Sequence, residues 1–163
     1  MKPNTIHYHM KLDIIDKKLL ELLQADTKKT NKELSSKLNL SVTAVYERIK
    51  KLEREGVINK YVAILDKSKI QKNFVVFCHV KLAQHNIDLI KHFEKEILKL
   101  DEVLECYHVS GDYDYILKIF VKDMEEYREF MVKKLTTIKD IDSTHSTFMI
   151  GEVKHTNIFK LTL

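Results

Sequence analysis

The stretch SVTAVYERIKKLEREGVI, residues 41–58, decides how the first part of this chain folds. Its apolar residues recur at intervals of three and four positions, at Val42, Val45, Ile49 and Leu52. This period predicts an amphipathic helix with one buried face. Ser41 is a suitable N-cap, and Gly56 stands where a left-handed residue commonly ends a helix. We therefore expect a helix from Ser41 to about Glu55.

Two shorter helices are predicted before this stretch. The first covers residues 13–25, and the second begins at Thr30, where Glu33 three residues later completes a capping box. A tight turn at 39–40 separates the second helix from the third, and the apolar residues within 57–64 predict a small hairpin. Three helices, a tight turn and a hairpin are the elements of a winged helix-turn-helix.

A winged helix-turn-helix over residues 12–58 would place its third helix in the major groove of double-stranded DNA. Thr43 and Ala44 are small enough for a close approach and could touch a thymine methyl group. Tyr46 could bind a phosphate or lie on a sugar, and basic side chains could neutralise phosphates. The candidate DNA contacts are Lys32, Ser41, Thr43, Ala44, Tyr46, Glu47, Arg48, Lys50 and Lys51. Further basic residues within reach of phosphates are Lys28, Lys29 and Arg54. The alternative is a small solvated helical bundle whose lysines face water.

Charge is distributed unevenly along the 163 residues. The chain has a net charge of +4, but residues 1–65 hold 13 Lys and Arg against 8 Asp and Glu, a net charge of +5. Residues 66–163 have a net charge of −1. An excess of positive charge confined to the first part supports DNA as the partner of that part alone.

The sequence lacks the patterns of catalytic and metal sites. It has no P-loop and no Gly-x-Ser-x-Gly, and its 8 histidines do not have metal-ligand spacing. We therefore expect no enzyme, no cofactor and no metal. No apolar run approaches the ~20 residues of a membrane span, and residues 1–10 lack the apolar core of a secretory signal. Cys78 and Cys106 are isolated and are expected to be free thiols, as in a reducing cytoplasm. Together, the thiols and the lack of a membrane span or secretory signal favour a cytoplasmic protein that does not contact membranes.

From residue 73 onwards the apolar period becomes two, which predicts strands. The predicted strands cover 74–82, 103–109, 115–121 and 142–150, and the predicted helices cover 86–100 and 123–135. The order βαββαβ is typical of the ferredoxin-like fold, so the whole chain is predicted to be α+β. Both sides of the strands carry apolar residues, and we expect the face without helices to pack against a second copy in a homodimer.

Four motifs stand in a fixed order along the chain. The first part contains Leu12-Asp13-x-x-Asp16 and then Val45-x-Glu47-Arg48-Ile49-x-x-Leu52-Glu53-x-x-Gly56-Val57-Ile58. The second part contains Gly111-Asp112-Tyr113-Asp114-Tyr115 and then Glu152-Val153-Lys154. In this order and at these distances, the chain from Leu12 onwards resembles the Lrp/AsnC (feast/famine) family of prokaryotic transcription regulators.

This resemblance implies a sequence-specific regulator that senses a small molecule, usually an amino acid. It also implies dimers that assemble into octamers, with the effector between dimers against the loop that holds Gly111. Gly111 would let backbone N–H groups approach a carboxylate, and Asp112 or Asp114 would receive the ammonium group. The residues expected around the effector are Gly111, Asp112, Tyr113, Asp114, Thr144, Ser146 and Phe148. His145 is expected to point outward or towards a dimer partner.

The predicted domains follow from the helices, the strands and the resemblance. They are an N-terminal extension (1–11), the winged helix-turn-helix (12–58), a linker strand or hinge (59–72) and an effector-binding and oligomerisation domain of the RAM type (73–163). An effector would change how dimers pack and so alter the spacing of the DNA-binding domains. Two alternatives stay open. Gly111 and Asp112 could form an ordinary hairpin turn, and the second domain could be a ligand-free oligomerisation module of an architectural regulator.

Overall fold

The chain folds into two compact units, which the computed structural model describes over residues 11–162. The head unit comprises the residues up to Ala63 together with the tail from Lys154, and the sheet unit comprises Ile64–Val153. The extension predicted for residues 1–11 lies, apart from Lys11, outside the described residues. Helices dominate the head unit and the strands lie in the sheet unit, so the predicted α+β class is confirmed.

Three helices form the head unit: α1 (Ile14–Ala25), α2 (Asn31–Leu38) and α3 (Val42–Arg54). Each begins after a side chain that caps it, at Asp13, Thr30 and Ser41. The capping box predicted for α2 is present, because the Thr30 hydroxyl accepts from the Glu33 N–H at 3.2 Å and the Glu33 carboxylate accepts from the Thr30 N–H at 2.7 Å. Asn39 ends α2 in the left-handed region with φ 52°. The predicted helix-turn-helix is confirmed.

An apolar cluster packs the three helices of the head unit together. Its buried members are Leu19, Leu20, Leu23, Leu34, Leu38, Val45 and Leu52. They recur at the helical period on one face of each helix, so their burial removes apolar surface from water and orients every helix about its own axis. For α3, this burial decides which face is left exposed.

The tail is attached to α1 by side chains that the sequence did not single out. The Glu21 carboxylate accepts from the N–H groups of Leu161 and Thr162 at 2.7 and 2.8 Å and from the Thr162 hydroxyl. These bonds, first of all the one from the Thr162 N–H, hold the pKa of Glu21 below its usual value. Gln24 exchanges two hydrogen bonds with the backbone of Phe159. The tail therefore packs with the helices of the head unit.

The predicted hairpin and linker strand after α3 do not form in the described chain, where residues 57–66 have no strand conformation. Gly56 is left-handed with φ 71°, as predicted for the residue that ends α3. The Leu52 carbonyl then accepts from the N–H groups of Val57 and Ile58 at 2.9 and 3.1 Å. These amides close the helix end, and the residues beyond them find no partner strand within residues 11–162.

The sheet unit has the predicted βαββαβ order. Its elements are β1 (Phe74–Leu82), α4 (Ile87–Ile97), β2 (Val103–His108), β3 (Tyr115–Val121), α5 (Met124–Lys133), a 3-10 turn (Leu135–Thr137) and β4 (Ile141–Phe148). The strands pair antiparallel in the order β2-β3-β1-β4. Asn86 and Asp123 cap the two helices as predicted. The ferredoxin-like arrangement of the second domain is thereby confirmed.

Helices α4 and α5 cover one face of the sheet, and we call the opposite face the open face. Beneath the helices, Phe93 and Phe130 pack on the alternate strand residues Val76, Cys78, Val80, Leu117 and Ile119. The residues that alternate with these along the strands lie on the open face, and they include Val75, Phe77, His79, Ile116 and Phe120. Lys67 Nζ lies 5.6 Å from the centre of the Phe120 ring, so the segment before β1 covers part of the open face. The rest of the open face is available for another surface.

Replacing Gly56 by Ala tests the helix end. The left-handed φ of 71° disfavours any residue with a Cβ, so we expect Gly56→Ala to lower the free energy of unfolding by about 1 kcal/mol. Gly151→Ala is the matched control, because a Cβ at Gly151 also meets open space but without a left-handed φ. Urea unfolding of both variants checks this expectation, and equal midpoints for the two would contradict it.

Candidate functional site

The predicted contact residues of α3 lie on its exposed face. Val45 and Leu52 are fully buried on the opposite side. The exposed residues are Thr43, Tyr46, Glu47, Lys50 and Lys51, with Ala44 half-buried beside them. The Ser41 hydroxyl accepts from the Ala44 N–H at 3.1 Å and so caps the helix, which leaves its own proton free to donate. Lys32 on α2 is exposed as well.

The two lysines near the C-terminal end of this face differ in their surroundings. Lys50 Nζ donates to Glu53 Oε2 at 2.8 Å and lies 5.8 Å from the centre of the Tyr46 ring. The bond to Glu53 raises the pKa of Lys50. Glu53 also accepts from the Tyr61 hydroxyl at 3.0 Å. Among the described residues, the Lys51 side chain has no hydrogen bond or ion pair, so its charge is free to neutralise a phosphate.

Arg48 binds α1 and does not point freely into solvent. Its Nη1 donates to Asp16 Oδ1 at 2.5 Å and to Asp13 Oδ2 at 2.7 Å. Asp16 is only 2% exposed. The pKa of Arg48 is raised, mainly by the bond to Asp13 and also by the bond to Asp16. The sequence predicted a phosphate contact here, but the buried carboxylate needs a cation, and we therefore leave Arg48 out of the proposed contacts.

The sequence held a partial signal for this ion pair. Asp16 lies three and four positions before Leu19 and Leu20, on the apolar face of α1, where an acid needs a partner. Periodicity alone could not show which of the 13 basic residues within 1–65 reaches it.

The loop between β2 and β3 presents backbone N–H groups, as the effector hypothesis requires. Within the described part of the chain, the N–H groups of residues 110–113 have no hydrogen-bond acceptor. Gly111 adopts φ 143°, and a Cβ placed on it would meet only open space. A carboxylate could therefore approach these N–H groups closely.

The two acidic candidates of the loop have different surroundings. Asp112 is exposed, and no ion pair or hydrogen bond to another described residue engages its carboxylate. Asp114 Oδ2 accepts from the Leu82 N–H at 2.7 Å, its Oδ1 lies 3.2 Å from His85 Nδ1, and its N–H donates to the Val80 carbonyl at 2.9 Å. Asp114 thus ties the loop to the end of β1. Asp112 is left as the carboxylate that can receive an ammonium group.

Thr144, Ser146 and Phe148 share one face of β4, as predicted, but it is the face beneath the helices. The register places them opposite Val80, Cys78 and Val76. Ser146 Oγ lies 2.6 Å from the Tyr127 hydroxyl of α5, and the Phe148 ring lies 5.6 Å from the Tyr127 ring. Burial raises the pKa of Tyr127 to about 12. In a single chain, Ser146 and Phe148 therefore pack against α5, whereas the sequence placed them beside the loop.

Tyr113 is the loop side chain that reaches the open face. Its ring centre lies 5.3 Å from that of His79 and 6.3 Å from that of His145. These two histidines are paired across β1 and β4. His145 is exposed on this face, and the expectation that it points outward or towards a dimer partner stays a prediction.

Two further expectations concern ions and membranes. Among the described residues, no three His, Cys, Asp or Glu side chains are arranged to hold a metal ion. The helices within residues 11–162 are all too short or too polar to span a bilayer.

Both units match known domains. Residues 12–59 match a winged helix-turn-helix DNA-binding domain, and residues 75–159 match the Lrp/AsnC ligand-binding domain. The chain belongs to the Lrp/AsnC family. It is a DNA-binding transcription regulator with a ligand-binding domain, and the family is not enzymatic.

Relatives of known sequence or structure share nearly the whole length of this Lrp/AsnC chain. It is 37% identical over 146 residues to the leucine-responsive regulatory protein of Escherichia coli K12, covering 90% of this chain and 89% of that one. A transcriptional regulator of Neisseria meningitidis, solved in complex with L-Met, is 31% identical with a TM-score of 0.87 over 91% of this chain and 96% of its own. An AsnC-family regulator of Agrobacterium tumefaciens is 35% identical with a TM-score of 0.86, over 90% and 95% of the two chains.

Removing the Arg48 side chain tests its attachment to α1. Arg48→Ala leaves the Asp16 carboxylate buried without a cation, so we expect the free energy of unfolding to fall by about 2–3 kcal/mol. Urea unfolding measures the loss, and Lys51→Ala is the control, since Lys51 has no partner among the described residues. Wild-type stability in Arg48→Ala would show that the ion pair is not structural.

Proposed function

We propose that this regulator binds specific double-stranded DNA through the exposed face of α3 and that a small effector, an amino acid, modulates this binding from the loop at Gly111. The observation that carries the DNA part is the exposed basic face of α3, which is the second helix of the helix-turn-helix and buries Val45 and Leu52 on its other side. The proposed DNA contacts are Lys32, Ser41, Thr43, Ala44, Tyr46, Glu47, Lys50 and Lys51.

Each part of the α3 face suits a different part of DNA. Thr43 and Ala44 lie in the first turn, where their small side chains let the helix approach base edges and thymine methyl groups. Lys50 and Lys51 lie about two turns later and provide charge for phosphates. Tyr46 between them is exposed and can donate its hydroxyl to a phosphate.

The loop at Gly111 suits the two charged ends of an amino acid. Its carboxylate would accept hydrogen bonds from the N–H groups of residues 110–113, and its ammonium group would donate to Asp112. The relative solved with L-Met supports an amino acid as the class of effector. Thr144 lies beside Val80, to which the loop is bonded, and is the nearest of the three strand candidates in register. Ser146 and Phe148 would take part only if assembly brings another chain to their side of the sheet.

The open face supports a homodimer. Leu104 and Tyr107 of β2 are 64% and 54% exposed, and Tyr107 pairs with Ile116 of the open face. Packing two sheets on each other would bury this surface. We propose that such dimers assemble further, to an octamer, and that the effector binds between dimers. Residues 59–72 would then connect each DNA-binding head to the dimer and transmit a change in packing to the spacing of the heads.

The alternative function is an architectural regulator with a ligand-free oligomerisation domain. The observation that favours it is that the loop is already closed by its own bonds. The Val109 N–H donates to the Asp114 carbonyl at 2.8 Å, and the Asp114 side chain is held by Leu82. A hairpin turn with these bonds needs no ligand.

The salt dependence of DNA binding tests the contact between α3 and phosphates. If Lys51 neutralises one phosphate, Lys51→Ala should reduce the slope of log K against log salt by about 1. Lys122→Ala is a control outside the head unit, with an exposed side chain of the same charge, and should leave the slope unchanged. Mobility-shift titrations over a salt series measure both slopes, and an unchanged slope for Lys51→Ala would remove Lys51 from the contacts.

A thermal-shift screen of the twenty amino acids tests the effector. A ligand that binds the folded chain should raise the melting temperature by mass action, and calorimetry should then lose the binding heat in Asp112→Ala and Gly111→Leu. Asp88→Ala, which changes an exposed acid of α4, is the matched control and should bind as the wild type does. No shift with any of the twenty would favour the ligand-free alternative, and binding retained by both loop variants would place the effector elsewhere.

A further inference from the structure

Glu47 lies at the middle of the exposed face of α3. Successive residues of an α-helix are rotated by about 100°, so Glu47 points about 200° away from Val45 and from Ile49, two positions before and after it. Val45 is fully buried, and Ile49 packs on the head core. The Glu47 side chain therefore points directly away from the core, one turn after Thr43.

The carboxylate of Glu47 has no partner among the described residues. The other acids near the end of α3 do have one: Glu53 accepts from Lys50 at 2.8 Å, and Glu55 lies 3.5 Å from Arg54. Lys51 stands four positions after Glu47, a spacing that allows an ion pair, but no such pair forms. Within the described part of the chain, α3 thus pairs its acids near the C-terminal end and leaves the central acid without a partner.

A free carboxylate on a surface that approaches DNA is unfavourable unless it accepts a hydrogen bond. The phosphates repel it, and the loss of water costs free energy. In the major groove the hydrogen-bond donors of the bases are the N4 amino group of cytosine and the N6 amino group of adenine. Adenine places the acceptor N7 beside its amino group, and that acceptor repels a carboxylate. Cytosine presents its N4 amino group without a second acceptor on the same base.

We propose that Glu47 is a specificity-determining residue, which selects a cytosine in each half-site by accepting a hydrogen bond from its N4 amino group. The proposal rests on the proposed function, because it requires α3 to lie in the major groove. It gives Glu47 a role different from those of its neighbours. Lys50 and Lys51 contribute affinity for any DNA sequence, and Glu47 contributes the choice of base.

Selection of binding sites from a random double-stranded DNA library tests this role. We expect the wild-type chain to enrich sites with one cytosine at a fixed position of each half-site. Glu47→Gln keeps the shape of the side chain but adds a donor, and an amide binds adenine through N6 and N7. We therefore expect the enriched base to change from cytosine to adenine. Glu47→Ala should lose the preference at that position, with the discrimination against other bases falling about 10-fold or more.

Glu55→Gln is the matched control, since it removes the same charge from the C-cap of α3. It should enrich the same sites as the wild type. Unfolding midpoints of the Glu47 variants should equal that of the wild type, because the side chain is exposed and unpartnered.

Two outcomes overturn the proposal, and they differ from each other. If the wild type enriches a defined site and both Glu47 variants enrich the same bases, α3 reads DNA but Glu47 does not select a base. If the wild type enriches no site and does not bind DNA, the proposed function fails and the role of Glu47 fails with it.

Discussion

The head unit depends on the ion pair between the buried Asp16 carboxylate of α1 and the Arg48 guanidinium of α3. A carboxylate among leucines is tolerated only if a cation reaches it. Arg48 reaches it at 2.5 Å only when α3 lies with this side towards the first turn of α1. The same bond therefore neutralises the buried acid and holds α3 against α1, while the burial of Val45 and Leu52 leaves the side of α3 with Thr43 and Glu47 towards solvent.

The sheet unit uses an acid in a similar way. Asp114 binds the Leu82 N–H at the end of β1 and so holds the loop in place, while Asp112, two residues earlier, has no side-chain partner within residues 11–162. In both units one acid supports the structure and a nearby acid is free. The proposed chemistry, recognition of a base by Glu47 and of an ammonium group by Asp112, lies with the free carboxylates, because a carboxylate already bonded within the chain has less capacity for a ligand.

Much of the fold could be predicted because its signals are local. Caps at Asp13, Thr30 and Ser41, and the change of apolar period near residue 73, require only neighbouring residues, and the helices begin where the caps predicted. The prediction of a hairpin after Gly56 was wrong because a strand needs a partner strand, which its own sequence does not reveal. The N–H groups of Val57 and Ile58 close the end of α3 instead. The contact of the tail with Glu21 could not be predicted for the same reason, since it joins residues about 140 positions apart.

The sequence by itself determined the helix-turn-helix, the βαββαβ order and the family, because periodicity, capping and motif order are properties of the chain. Only the tertiary structure decided which charged and polar side chains are free. Arg48 and Asp114 are occupied by partners 32 positions away, and Ser146 is bonded to Tyr127 across the space between β4 and α5. Such pairings depend on distance in space, and the spacing of residues along a chain does not contain that distance.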